Sequence, residues 1–169
     1  PESMQLLEHA VAYASRKQVG LVIHNDAQHF SCGADLATIL GFVESGDMAG
    51  LDGFLSHYQQ TLRSMRYAPI PVVAAPSGLS MGGGFEVLLH TDKVIYHANS
   101  VTGLVESLVG VVPGGGGVKE MLYRWFEREG EGAQQGSADG DYAVHVGSSP
   151  FKLSYLDSTP DCAFKECRP

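Results

Sequence analysis

The sequence predicts an α/β layered fold, and three observations carry that prediction. Helical and strand-like patterns alternate along most of the chain. The strand-like stretches are continuous apolar runs with β-branched members, the pattern of parallel strands covered on both faces. Helix following strand repeatedly is the signature of layered α/β architecture. At 169 residues with 44% hydrophobic content, the chain is long enough to bury a sizeable core within one domain.

The elements follow in order. Met4 to Ala14 carries Leu7, Ala10, Val11 and Ala14 at helical spacing, with Ser3 as a candidate N-cap. Val19 to His24 is a continuous apolar run and predicts a buried parallel strand. A polar turn leads to Phe30-Ser-Cys-Gly-Ala-Asp-Leu36, and Glu44 to Gly50 is polar and glycine-bearing, which predicts a loop. Leu51, Leu55, Tyr58, Leu62 and Met65 mark a long amphipathic helix up to Tyr67, bounded by Pro69 and Pro71. Val72 to Ala75 is the next buried strand, Phe85 to Leu89 a helix, and Val94 to Tyr96 a third strand. Leu104 to Val112 is apolar except for Glu106 and Ser107. Val118, Met121, Leu122, Trp125 and Phe126 then predict the apolar face of a further helix. Residues 1–130 are read as the core domain. Residues 131–169 lose periodicity and are rich in Gly, Gln, Asp and Ser, so they are read as a divergent, weakly structured C-terminal segment.

The formal net charge of −8, without a basic stripe, argues against nucleic acid and anionic membrane as partners. No apolar run reaches the length of a membrane span, and no signal segment opens the chain. Cys32, Cys162 and Cys167 make an odd count without metal-ligand spacing, which points to a reducing, cytoplasmic setting.

Three short features could carry chemistry. In Cys32-Gly33-Ala34-Asp35 the glycine permits a tight turn that exposes the N–H of Ala34; an ordinary strand-to-helix turn is the alternative. Gly82-Gly83-Gly84-Phe85-Glu86 falls where a helix begins, so its N–H groups lack intrahelical acceptors and suit a developing negative charge. The alternative is a helix packed closely on a strand, with Glu86 a solvated first-turn carboxylate. Glu106 is an acid inside an apolar run, needing either a partner or a raised pKa, unless that run ends at the surface. Gly78-Leu-Ser-Met-Gly82 also fits a nucleophile elbow, with Ser80 as nucleophile and Asp92 or Asp139 and His97 or His145 as partners. Gly114 to Gly117 with Lys119 lacks the Ser or Thr of a phosphate loop, and no dinucleotide fingerprint follows a strand.

Taken together, these residues resemble the enoyl-CoA hydratase/isomerase (crotonase) superfamily. The similarity runs from about Val19 to Phe126. It rests on Leu21-Val-Ile, Phe30 to Leu36, Pro71-Val-Val-Ala-Ala, Gly78 to Glu86, Thr91-Asp92 and Gly103 to Gly114. The flavour is that of the hydratase part of bacterial bifunctional enoyl-CoA hydratase/3-hydroxyacyl-CoA dehydrogenases of fatty-acid β-oxidation. The resemblance implies a crotonase-like ββα-superhelix core, truncated at the N-terminus and divergent at the C-terminus. It implies an oxyanion hole from the N–H groups of Ala34 and Gly83, and Glu86 and Glu106 as catalytic carboxylates. It also implies contacts to the CoA thioester from Cys32, Gly33, Asp35, Leu36, Gly82 and Gly114. The expected reaction is hydration of a trans-2-enoyl-CoA, with CoA as part of the substrate and with no metal or redox cofactor. A Δ3-Δ2 enoyl-CoA isomerase, a non-catalytic acyl-CoA-binding fragment and the Ser80 hydrolase are the alternatives. The family also implies a homo-oligomer, trimer or hexamer.

Overall fold

The protein is described by a computed structural model covering residues 2–132, 141–146 and 149–154, with side chains through residue 126. Cys162, Cys167 and Asp139 therefore lie outside the described residues, as does the reading of 133–140 and 155–169. The element order is α1 Glu2–Lys17, β1 Leu21–His24, α2 Leu36–Ser45, α3 Met48–Arg66, β2 Val72–Ala75, β3 Leu79–Met81 and α4 Gly83–Leu89. It continues with β4 Lys93–Val94, β5 Val101–Leu104, a 3-10 helix Glu106–Val109, α5 Gly117–Gly132, β6 Asp141–Val146 and β7 Ser149–Ser154.

Two sheets form. In the first, β1, β2 and β4 lie side by side and parallel, Leu21 opposite Val72 and Val73 opposite Lys93. In the second the order is β3-β5-β6-β7, with β3 parallel to β5. There β6 pairs parallel to β5 and antiparallel to β7, so residues 141–146 and 149–154 extend that sheet. The division drawn at residue 130 falls inside the last turn of α5.

Helix α4 is the centre of the molecule. Every residue from Gly84 to Leu89 is buried. Val87 joins one apolar cluster with Val11 and Ala14 of α1, Leu62 and Met65 of α3, and Ile70 and Val72. Phe85, Leu88 and Leu89 join a second cluster with Ala74 and Leu104, against which Met121 packs. A helix of seven residues is too short to be stable by itself. Tertiary burial on two sides is what holds it.

The end of α4 shows how. Its last turn tightens, with the His90 N–H bonding Val87 O at 3.2 Å. Glu86 O is left over, and His90 Nδ1–H donates to it at 2.8 Å. Arg124 of α5 donates to Leu89 O through Nε and Nη2 at 3.2 and 2.9 Å, and to Thr91 O as well. These are the carbonyls that a helix C-terminus leaves without intrahelical donors.

Several sequence expectations are corrected here. The run 19–24 was expected to be buried on both faces. β1 is an edge strand with alternating exposure, and Val22 is 61% exposed. The expected loop 44–50 narrows to the turn at Gly46-Asp47, because α2 runs to Ser45 and α3 starts at Met48. The third strand lies at Lys93–Val94 rather than Val94 to Tyr96. On α5 only Met121 of the expected apolar face packs inward, while Val118, Leu122, Trp125 and Phe126 are exposed. Gly117, Glu120 and Arg124 complete the inward side. Glu120 can be buried because two cations face it, Lys119 Nζ at 3.0 Å and Arg66 Nε at 3.5 Å, with the His90 imidazole Nε2 at 3.8 Å. Burial pushes the His90 imidazole below its usual pKa, opposed by its bond to Glu86 O and by the Glu120 charge.

Arg124→Met would remove the donors that close α4. Leaving buried carbonyls without partners costs about 1–3 kcal/mol, so the urea midpoint of the variant should fall accordingly. An unchanged midpoint would mean that water takes over those carbonyls.

Candidate active site

The turn from β3 into α4 is built around glycine. Gly82 has φ 52° and ψ −124°, a conformation that side chains disfavour. Its N–H is spent on Gly103 O at 2.8 Å, which locks the turn to β5. Gly33, at φ 92°, lets a second turn press against the first. A Cβ there would come within 3.0 Å of Met81 O and 3.2 Å of Gly83 N. Across this contact, Ala34 N lies 3.7 Å from where a Cβ on Gly83 would sit. Neither Ala34 N–H nor Gly83 N–H donates to a protein acceptor among the described residues. Two free backbone donors thus lie near one another, at the two positions that the family resemblance singles out.

Glu86 projects from the first turn of α4 and is only 1% exposed. Its carboxylate is held from two elements. Gly115 N–H donates to Oε1 at 2.8 Å and Oε2 at 3.0 Å, and Gly117 N–H donates to Oε1 at 2.8 Å. Tyr58 of α3 donates from its hydroxyl, with Glu86 Oε2 at 3.1 Å and Gly83 O at 2.8 Å. Burial, reinforced by the Glu86 charge, pushes the Tyr58 phenol far above its usual pKa, so it remains a donor. Gly115 and Gly117 must be glycines: a Cβ on Gly115 would lie 2.6 Å from Leu62 Cδ1 and 2.7 Å from Glu86 Oε2. One on Gly117 would lie 2.9 Å from Glu86 Cγ.

Glu106 opens the 3-10 helix after β5, and its Oε1 lies 3.2 Å from the Cβ position of Gly82. The two carboxylates therefore flank the same glycine turn. Glu106 Oε2 is buried without a hydrogen-bond partner. Burial pushes its pKa above the usual carboxylate value, the Glu86 charge adds to this, and its own backbone N–H and that of Val105 oppose it. The apolar residues beyond it are exposed, Leu108 at 77% and Val112 at 81%, so both readings of this run apply to different parts of it.

The remaining expected site residues are distributed as follows. Asp35 is the N-cap of α2, accepting from Ala37 N at 3.0 Å and Thr38 Oγ1 at 2.9 Å, and these bonds lower its pKa. Cys32 is exposed and Leu36 lies half-exposed at the start of α2. Gly114 accepts through its carbonyl from Gln59 Nε2 at 2.7 Å, tying its loop to α3. The hydrolase alternative finds no support among the described residues. Ser80 is fully buried in β3, and its Oγ has no hydrogen-bond partner among them. Asp92 accepts from Val72 N, and His97 is paired with Asn99. Sequence reasoning missed Tyr58, Gly115 and Gly117 as parts of the site.

With this geometry in hand, comparison with known proteins is specific. The family model described as enoyl-CoA hydratase/isomerase matches residues 3–128. The chain is 37% identical over 125 residues to a protein of Bacillus subtilis (strain 168) named as a 3-hydroxyacyl-CoA dehydrogenase, covering 74% of this chain and 16% of that protein. It is 35% identical over 119 residues to a protein of Rickettsia felis named as a fatty acid oxidation complex trifunctional enzyme, covering 70% of this chain and 16% of that one. The chain thus spans about a sixth of the length of these relatives. A solved enoyl-CoA hydratase from Thermoplasma volcanium superposes with a TM-score of 0.64 at 28% identity, covering 71% of this chain and 47% of that chain.

A raised folded-state pKa at Glu106 sets a sign for stability. The protonated acid is tolerated in the fold and the carboxylate is disfavoured, so stability present below the ordinary Glu value is lost as pH rises through the raised one. Glu106→Gln should therefore match the parent's thermal midpoint at pH 4 and exceed it at pH 8. Equal midpoints at both values would remove the burial argument. Separately, Gly115→Ala should destabilise the fold by about 1–3 kcal/mol through overpacking, seen as a lower denaturant midpoint.

Proposed function

The chain belongs to the enoyl-CoA hydratase/isomerase family, and from that premise we propose that it adds water across the 2,3 double bond of a trans-2-enoyl-CoA in fatty-acid oxidation. The observation that carries the reading is the pair of free N–H groups on Ala34 and Gly83 beside two carboxylates, Glu86 and Glu106.

The chemistry asks for these parts. As the oxygen of water bonds to C3, the C2–C3 π electrons move onto the thioester as an enolate. Its oxygen is met by the two backbone donors, each worth about 3 kcal/mol in such a site. The proton leaving water passes to Glu86 Oε2. Glu106, whose pKa burial raises, delivers a proton to C2 as the enolate collapses. The substrate gains one water, and a proton moves from Glu106 to Glu86, to be returned through solvent. Lining by Cys32, Gly33, Leu36, Gly82 and Gly114 belongs to the same proposal, and Asp35 contributes by capping α2. The apolar side chains exposed on α5 and after Glu106 support the homo-oligomer that the family implies.

One observation favours a second reading, isomerisation of a 3-enoyl-CoA. The four acceptor positions of the Glu86 carboxylate are taken by Gly115, Gly117 and Tyr58, whereas Glu106 Oε2 is open. A single free carboxylate can remove the C2 proton and return it at C4.

Crotonyl-CoA and a 3-enoyl-CoA separate the two. The hydratase reading expects loss of the enoyl-thioester absorbance with crotonyl-CoA, slowed about 10²- to 10⁴-fold by Glu106→Gln. Conversion of the 3-enoyl substrate to a 2-enoyl product without consumption of crotonyl-CoA would establish the isomerase instead.

A further inference from the structure

Tyr58 stands in an otherwise aliphatic stripe of α3, between Leu55 and Leu62, and its ring packs with the α1–α3 apolar cluster. Packing alone would be served by phenylalanine. The hydroxyl is what differs, and it meets two acceptors on the catalytic turn: Gly83 O at 2.8 Å and Glu86 Oε2 at 3.1 Å. A phenol has one proton to donate and lone pairs to accept with. It can therefore serve only one of these acceptors fully at a time.

The two carboxylate oxygens are not equivalent. Oε1 is held by two short N–H bonds, from Gly115 and Gly117, and these cannot be reversed because an N–H only donates. Oε2 has one longer N–H contact and the Tyr58 hydroxyl. Oε2 is therefore the oxygen able to take a proton. While Glu86 is ionised, Tyr58 can donate to Oε2. When Oε2 is protonated, its new O–H can donate to Tyr58 Oη while Tyr58 turns its own proton to Gly83 O, the nearer acceptor. The chain Glu86 Oε2–H to Tyr58 O–H to Gly83 O keeps Oε2 and the Tyr58 hydroxyl paired in either state.

We propose that Tyr58 is a positioning residue that holds Glu86 in both of its protonation states, so that the carboxylate can accept a proton from water and give it back without breaking the buried network. This rests on the hydratase reading, since an isomerase working through Glu106 alone would not cycle Glu86. No group joins or leaves Tyr58: it exchanges hydrogen-bond roles and stays protonated.

The test is Tyr58→Phe, which keeps the ring, compared with the parent chain in hydration of crotonyl-CoA. A 3-arylacryloyl-CoA is bound in parallel, because its absorption moves to longer wavelength when the backbone donors polarise the thioester carbonyl. The expected result is a kcat lowered about 10- to 100-fold with KM and the spectral shift retained. In Glu86→Gln, adding Tyr58→Phe should cause no further loss, as for residues acting through one another. Unchanged kcat in Tyr58→Phe, or a spectral shift lost together with kcat, overturns the inference while the hydratase reading stands. A parent chain that fails to hydrate crotonyl-CoA overturns both, and its spectral shift then tells whether the backbone donors survive as a site. Should Tyr58→Phe not fold, 3,5-difluorotyrosine at position 58 keeps both hydrogen bonds but makes the hydroxyl a poorer acceptor. A several-fold drop in kcat is then expected, and no change overturns the proposal.

Discussion

The structure turns on a carboxylate buried in the middle of the molecule. Glu86 sits on a seven-residue helix that has no independent stability, at a depth where an unpaired charge would unfold the domain. Its acceptor sites are met from α3 through Tyr58 and from the start of α5 through Gly115 and Gly117. Those bonds set where α5 begins and how near α3 can come. Much of the rest follows as support: the apolar clusters on both sides of α4, the His90 and Arg124 caps at its end, and the charged group around Glu120 behind it.

The two carboxylates illustrate how environment assigns different behaviour to one chemical group. Glu86 is surrounded by donors. Glu106, on the other side of Gly82, has an oxygen buried without any among the described residues, and burial raises its pKa above the usual carboxylate value. The glycine turn between them leaves the Gly83 N–H free, and the Ala34 N–H joins it from the turn before α2.

Much of this was legible in the sequence for reasons specific to glycine. Gly33 and Gly82 to Gly84 stand out because nothing else permits such turns and contacts, and β2 and α4 were legible because they are covered on every side. Apolar periodicity was less reliable where coverage is partial. The run at Val19 to His24 reads the same whether one neighbour covers it or two, and β1 turns out to have an exposed face. On α5 most of the apolar stripe, Met121 excepted, faces outward, because the inward polar residues Glu120 and Arg124 are paired with charges and with carbonyls that only the tertiary structure supplies. Tyr58 was hidden by its own spacing, which is that of a packing residue. A tyrosine hydroxyl on an aliphatic face was the available signal, since such a group needs a partner when buried. Gly115 and Gly117 were visible as a glycine run, but their role as donors to Glu86 depends on a contact almost thirty residues away.

The parallel pairing of β1 with β2 has a consequence for how the molecule comes into being. Leu21 meets Val72 only after two helices have been laid across the sheet. Ala34 lies inside that connection and Gly83 beyond it, after β3, so the two free donors are about 50 residues apart in the chain. Non-local closures of this kind are slow, because chain entropy is lost before the contacts that compensate it exist. The two donors meet only once that closure is made, so a ligand that grips both would oppose its reopening.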